Sequence, residues 1–249
     1  NSHDLISHTQ SAYRPVHSTE TALIKVTNDI LDGLDGGDES VLTLLDLSAA
    51  FDTIDHTTLL KRLSTLYGIS GPALAWFESY LCGRTQAVLV AGQMSPLVPL
   101  SFGVPQGSVL GPILFIMYTK PLSSLIQTHS VSNQSFADDT QLYKSSSPSQ
   151  THAAILAVQT CIVDVKDWMT QNKLKLNDDK TEALLFRKRS ARLTDGPTSI
   201  RVGDTDICFS SSARNLGFTI TSDMTLDKHI SNICRSAYFE LRKISTIRH

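Results

Sequence analysis

A chain of 249 residues that is 41% hydrophobic can bury a substantial core, as one large domain or two small subdomains, and is too apolar to be disordered. Its net charge of −2 lacks the overall basic footprint of a typical nucleic-acid binder. No apolar run approaches the ~18 residues needed to cross a bilayer, and no charged start followed by an apolar core marks a secretory leader, so an intracellular protein is expected, in nucleus or cytoplasm.

Ala22, Leu23, Val26, Ile30 and Leu34 recur at helical spacing behind Ser18, a good N-cap, and glycines at 33, 36 and 37 end that helix. The run Val41-Leu42-Thr43-Leu44-Leu45 reads as a buried strand ending at Asp46. Asp55 can cap a helix carrying Leu59, Leu60, Leu63 and Leu66, and Pro72 to Leu81 forms the next. Thr85 to Val90 alternates and, with a second extended piece reaching Leu100, predicts a hairpin. The loop Gly103-Val104-Pro105-Gln106-Gly107-Ser108 leads into an apolar helix over Val109 to Ile126, with Pro112 in its first turn.

A second hairpin is expected from a strand to Phe136, a turn at Asp138-Asp139 and a short strand through Tyr143. A long helix over about Pro148 to Thr170 buries Ile155, Val158, Ile162, Val165 and Trp168. Short strands follow at Leu174 to Leu176, Ala183 to Phe186, Ile200 to Val202, Thr205 to Phe209 and Asn215 to Ile220. A final amphipathic helix starts near Leu226 and uses Ile230, Ile233, Ala237, Leu241 and Ile244. Strands joined by both hairpins and helices indicate an α+β fold, with helices on one side of a mainly antiparallel sheet. Cys82, Cys161, Cys208 and Cys234 are too scattered for a zinc site and read as free thiols.

Carboxylates are rarely buried unless paired or bound to metal, and Asp46 and the pair Asp138-Asp139 both sit where core strands emerge. If those strands are neighbours, three negative charges converge, at roughly 4 kcal/mol per pair about 4 Å apart. A hard divalent cation with a taste for carboxylate and phosphate oxygens is the natural offset. Either cluster alone reads more simply as solvated turn residues. The basic clusters Arg187-Lys188-Arg189 and Arg235, Arg242, Lys243 and Arg248 are equally solvated faces or phosphate contacts. Asp52, Asp55, Asp178 and Asp179 are explained as caps and turns.

In order, the landmarks are Gln10-Ser11-Ala12-Tyr13-Arg14-Pro15, Leu45-Asp46-Leu47-Ser48-Ala49-Ala50-Phe51-Asp52, Gly103 to Ser108, Phe136-Ala137-Asp138-Asp139, Asn177-Asp178-Asp179-Lys180-Thr181-Glu182 and Leu216-Gly217. The ordered set resembles the reverse transcriptase domain of non-LTR (LINE-type) retrotransposons over nearly the whole chain, Ala137 being normal for that group. The resemblance implies the fingers and palm of a right-hand polymerase, with a mainly antiparallel palm sheet backed by helices and a truncated helical thumb. Fingers would take roughly 1–40 and 56–102, palm 41–55 and 103–222, and the start of the thumb 223–249.

The implied activity is RNA-directed DNA polymerisation, with an RNA template, a DNA primer or target and deoxynucleoside triphosphates as partners. Asp46 and Asp138 would bind both of two Mg2+ ions, for which Mn2+ substitutes, with Asp139 completing the acidic pair and the Leu47 carbonyl as a further ligand. Phe51 would exclude a 2′ hydroxyl, Gln106 and Gly107 would border nucleotide and template, Arg14 would grip triphosphate, and Lys180 would neutralise the leaving pyrophosphate. Read alone, Phe51 packs the next helix, Gln106-Gly107 closes a loop, and Arg14 and Lys180 are surface charges.

The rival reading is a catalytically silent remnant or a domesticated nucleic-acid-binding module. An RNA-dependent RNA polymerase also carries paired aspartates, but Phe51 argues against it. An opening Asn and a helix running to the last residues lead us to expect a segment of a longer polyprotein whose endonuclease and remaining thumb lie elsewhere, leaving a weak grip on primer and template.

Overall fold

The computed structural model describes residues 5–188, 196–203 and 205–247; Arg189 and Arg248 of the basic clusters lie outside them. Helix α1 (Thr19–Gly36) opens on a capping box, Ser18 Oγ accepting from the Thr21 N–H and the Thr21 hydroxyl accepting from the Ser18 N–H. Strand β1 (Glu39–Leu45) follows, buried along its whole length. After the two-residue β2 (Leu47–Ser48), α2 (His56–Thr65) starts at Asp55, whose carboxylate accepts from the Thr58 N–H at 2.7 Å. Helix α3 (Gly71–Leu81) comes next.

The predicted hairpin at 85–100 is present in four two-residue pieces, β3 (Thr85–Gln86), β4 (Leu89–Val90), β5 (Gln93–Met94) and β6 (Val98–Pro99), pairing β3 with β6 and β4 with β5. Between the pairs, Ser95 Oγ takes the Val88 N–H and interrupts the ladder. Helix α4 (Leu110–Gln127) carries Pro112 in its first turn and Pro121 in its interior. The Met117 carbonyl, which the imino acid at 121 cannot satisfy, accepts from the Tyr67 hydroxyl at 2.9 Å, so the helix continues.

Strands β7 (Ser132–Phe136) and β8 (Asp139–Ser146) form the second hairpin, β8 running three residues past the predicted end. A 3-10 turn at Pro148–Gln150 precedes α5 (Thr151–Gln171). Next come β9 (Lys175–Leu176), a 3-10 turn at Asp178–Lys180, β10 (Glu182–Phe186), β11 (Ser199–Val202), β12 (Thr205–Cys208), β13 (Ser212–Asn215), β14 (Phe218–Thr221) and α6 (Asp227–Ile247).

The central sheet is antiparallel throughout, in the order β10-β1-β8-β7. Its middle strand β1 has no solvent face, which is why its sequence is an apolar run rather than an alternation. Val41, Leu45, Leu142 and Ala183 point into a core shared with α2, α4 and α5, where Phe115, Tyr118, Val158 and Ile162 are fully buried. Leu42, Leu44, Tyr143, Leu184 and Phe186 point the other way, against Val26 and Ile30 of α1. The sheet is thus backed by helices as expected, but α1 covers the second face, because its stripe of Ala22, Val26 and Ile30 needs an apolar partner. Each fully buried Leu, Ile or Phe in these layers contributes about 1.5–3 kcal/mol.

Two expectations are corrected in detail. Asn215 to Ile220 is not one strand but the turn of a hairpin: Asn215 pairs with Phe218, and Leu216 (φ +48°) and Gly217 (φ +83°) are both left-handed, as a two-residue turn with the twist of its strands requires. Helix α6 packs only its first turns on the body, through His229 on the Phe218 ring at 4.1 Å, and its apolar face with Ile230, Ile233, Leu241 and Ile244 is exposed.

Candidate active site

Residue 46 follows the last residue of β1, and Leu45 is paired with Thr140 of β8, so the next step of the ladder brings Asp46 opposite Asp139. By strand alternation both share the face of Leu44 and Gln141. They line an open cleft of about 390 Å³ together with Asp179, Lys180, Asn215 and Leu216. Asp138, in the turn, lines a small adjoining cavity with Gln10, Leu47, Phe115 and Ala137, Thr140 being common to both.

The electrostatics record the crowding. Burial, then the charges of Asp138 and Asp46, push the Asp139 carboxyl up to about 6. Burial and the Asp46 charge likewise raise Asp138, against an opposing backbone hydrogen bond. Asp46 Oδ2 is buried, makes no hydrogen bond, and faces the Lys180 ammonium at 3.5 Å. A buried carboxylate oxygen without a donor and two reluctant neighbours form a hard, anionic oxygen set that suits a divalent cation. Among the described residues, however, no group of three or more His, Cys, Asp or Glu side chains is gathered closely enough to cage an ion.

The other candidate residues fall around this centre. Leu47 sits in β2, paired with Leu176, and lines the Asp138 cavity. Phe51 stacks on Phe115, itself in that cavity wall, with ring centroids 4.7 Å apart and planes tilted by 31°. The 103–108 loop lies along the segment after β2, Gly103 N–H and Val104 N–H donating to the Ile54 and Phe51 carbonyls. Gly103, at φ +82°, comes so near that a Cβ there would stand 2.9 Å from the Asp52 carbonyl oxygen. In the same loop Gln106 Nε2 donates to Asp52 Oδ1 at 2.7 Å. Gly107 has φ +77° with open space around it, so its need for glycine is conformational. Arg14 is spent on its own segment, Nη1 donating to the Ser7 and Gln10 carbonyls. Its neighbour Tyr13 feels the Asp138 charge.

Three supporting residues escaped the sequence reading. Asp52 is the anchor of Gln106 rather than a plain turn residue. Buried His56 holds the Gly103 carbonyl through Nε2 at 2.7 Å. Gln10 binds both backbone groups of Ala137. Gln10 and Asp52 stand within the ordered landmarks without a role of their own, and His56 is a polar residue inside a predicted helix start. Ala137 itself is left-handed, at φ +56°, in the first position of a two-residue hairpin loop where glycine is favoured. That conformation costs an alanine about 1–2 kcal/mol.

Comparison with known proteins agrees with this architecture. A family model described as reverse transcriptase (RNA-dependent DNA polymerase) matches residues 1–220. The RNA-directed DNA polymerase from mobile element jockey of Drosophila melanogaster is 27% identical over 242 residues, covering 95% of this chain and 25% of the relative. The probable RNA-directed DNA polymerase from transposon X-element of the same fly is 29% identical over 230 residues, covering 90% and 24%. The chain thus spans about a quarter of the length of these relatives.

Among solved structures, a Candida tropicalis apo telomerase superposes with a TM-score of 0.60 at 16% identity, covering 88% of this chain and 40% of that one. A Candida albicans telomerase complex gives 0.53 at 14%, covering 92% and 38%; both likenesses concern the fold alone. With the ordered motifs, the antiparallel sheet and a family match over most of its length, this chain belongs to the reverse transcriptase (RNA-dependent DNA polymerase) family.

Proposed function

We propose that the chain is the polymerising part of an RNA-directed DNA polymerase of a non-LTR retrotransposon, extending a DNA 3′ hydroxyl on an RNA template inside the cell. The observation that carries this reading is the pairing of β1 with β8, which sets Asp46 against Asp139 beside the Asp138 turn, where burial and the neighbouring charges raise the Asp139 carboxyl. Residues 1–40 and 56–102 take the role of fingers, 41–55 and 103–222 that of palm, and 223–249 that of the first thumb helix.

Asp46, Asp138, Asp139 and the Leu47 carbonyl would hold two Mg2+ ions, or Mn2+ in their place, supplying a lowered pKa at the primer hydroxyl and charge neutralisation on the nucleotide phosphates. Phe51, braced by Phe115, presents a flat ring that excludes a ribose 2′ hydroxyl. Gln106, held by Asp52, and Gly107 border the nucleotide and template. Arg14 swings from its carbonyl partners to the triphosphate, and Lys180, already at the Asp46 carboxylate, meets the charge of the leaving pyrophosphate.

Primer extension on poly(rA) with oligo(dT) and Mg2+ tests this. The wild-type chain is expected to incorporate dTTP and Asp138→Ala to fall to background. Equal background in both, with retained nucleic-acid binding, would establish the silent binding module instead.

A further inference from the structure

Gln10 takes no part in the chemistry assigned above, yet it is the residue that holds the acidic turn. Residues 9–11 run alongside β7: Ser135 N–H donates to the Thr9 carbonyl at 2.7 Å, and Ser11 N–H donates to the Ser135 carbonyl at 2.9 Å. This places the Gln10 side chain, 6% exposed, against the loop that joins β7 to β8. Its Nε2 donates to the Ala137 carbonyl at 3.0 Å, and its Oε1 accepts from the Ala137 N–H at 2.9 Å. The same Oε1 accepts from the Ala12 N–H at 2.9 Å, which fixes the amide on its own segment. A carboxamide presents donor and acceptor on one head, so it can close both sides of a single peptide unit.

We propose that Gln10 is a positioning residue for polymerisation: it locks the Ala137 turn and thereby sets where the Asp138 and Asp139 carboxylates point. The inference rests on the polymerase reading. Two features make the lock necessary. Ala137 is left-handed without being glycine, so an untethered loop has a backbone reason to relax. The two carboxylates that follow repel each other and Asp46, so they have an electrostatic reason to splay. A reacting constellation tolerates about 0.5 Å of looseness, and residues that orient metal-binding carboxylates typically matter by about 10- to 100-fold in affinity or rate.

The test uses the whole chain with Gln10→Met, which keeps the volume and removes the two hydrogen bonds to Ala137 and the one from Ala12, and Gln10→Glu, which keeps the acceptor for the Ala137 and Ala12 N–H groups and sets a carboxylate oxygen against the Ala137 carbonyl in place of the donor. Ser11→Ala is the control, because the Gln134 Nε2 to Ser11 Oγ bond of 2.7 Å anchors the same segment without touching the turn. Three quantities are read: amide exchange at the Ala137 N–H, Mn2+ affinity by electron paramagnetic resonance, and single-turnover dTTP incorporation with its KM. Gln10→Met is expected to lose Ala137 protection at least about tenfold, weaken Mn2+ binding about tenfold and slow incorporation about tenfold or more, with KM for dTTP within about threefold.

Gln10→Glu is expected to lose Ala137 protection and rate as well, because its second oxygen repels the Ala137 carbonyl; should Gln10→Met not fold, the amide exchange at Ala137 in Gln10→Glu decides. Wild-type Mn2+ affinity and rate in a folded Gln10 variant overturn the proposal, as does an equal loss in Ser11→Ala. A wild-type chain without extension defeats the polymerase reading, while the exchange and Mn2+ measurements still decide the role of Gln10.

Discussion

The Lys180 ammonium stands 3.5 Å from Asp46 Oδ2, with 68% of the lysine side chain in solvent. A pair that exposed contributes about 0–1 kcal/mol to folding, so its interest lies in what it competes with. A divalent cation at Asp46 must share or displace the ammonium. Lys180→Ala is therefore expected to leave the thermal midpoint within a degree or two, tighten Mn2+ binding about two- to fivefold, and slow dTTP incorporation about tenfold for want of a cation at the leaving phosphates. Mn2+ titration beside single-turnover kinetics checks both signs. Weaker Mn2+ binding in the variant would show that the lysine organises the site rather than contending for it.

The raised carboxyl at Asp139 makes a contribution of definite sign to the pH dependence of stability. An unfolded aspartate titrates near 3.9, whereas folding lifts Asp139 to about 6, so between those values the native state binds more protons than the unfolded one. Without added metal, this group's contribution to stability is expected to fall as pH rises from about 4 through 6, by about 1–2 kcal/mol once solvent screening of a half-exposed carboxyl is allowed for, read as the difference between wild type and Asp139→Asn. Divalent cations require the deprotonated forms, so Mn2+ affinity should run the opposite way and weaken as pH drops through 6. Urea unfolding of wild type and Asp139→Asn at a series of pH values, with and without Mn2+, reads both trends; identical metal-free profiles would mean that the Asp139 carboxylate is better solvated than its surroundings indicate.

Much of this was legible because the deciding interactions were local. Ser18 and Asp55 cap their helices through residues three positions away, and β1 announces itself as an apolar run because β8, β10 and both core layers enclose it. The acidic residues were visible as charges where core strands end. What sequence could not supply was direction and distance. Period-two alternation puts Asp46 on the face of Leu44, but only the β1–β8 register reveals that Asp139 stands opposite it. The Gln10 clamp joins residues 127 positions apart, and although Gln10 opens the first landmark, nothing in the sequence names Ala137 as its partner. The β13–β14 turn was missed because Leu216 takes a left-handed conformation that a leucine does not advertise. The amphipathic stripe of α1 tells that the helix buries a face, not which side of the sheet receives it.

The left-handed alanine of the acidic turn yields a stability prediction independent of catalysis. Glycine at residue 137 removes the Cβ penalty of about 1–2 kcal/mol and returns part of it through a more flexible unfolded chain. Ala137→Gly should gain about 0.5–1 kcal/mol in urea unfolding, since both Gln10 hydrogen bonds reach backbone atoms that glycine retains. A loss of stability instead would place the Ala137 methyl among contacts that hold the turn.

Phe51 has two duties that one substitution separates. Its ring packs on Phe115, so Phe51→Val should cost about 1–2 kcal/mol of stability from lost contact and incomplete repacking. If the ring also bars the ribose 2′ hydroxyl, the same change opens volume beside the sugar, and preference for dTTP over UTP should drop by at least about tenfold. Phe115→Leu is the discriminating companion: it loosens the brace, keeps Phe51, and should lower stability comparably while shifting sugar preference only a few-fold. Both variants are measured by urea unfolding and by the ratio of kcat/KM for the two nucleotides. A Phe51→Val enzyme that is destabilised but still rejects UTP as strongly as wild type would reduce Phe51 to a core residue, and sugar selection would then have to come from elsewhere in the nucleotide pocket.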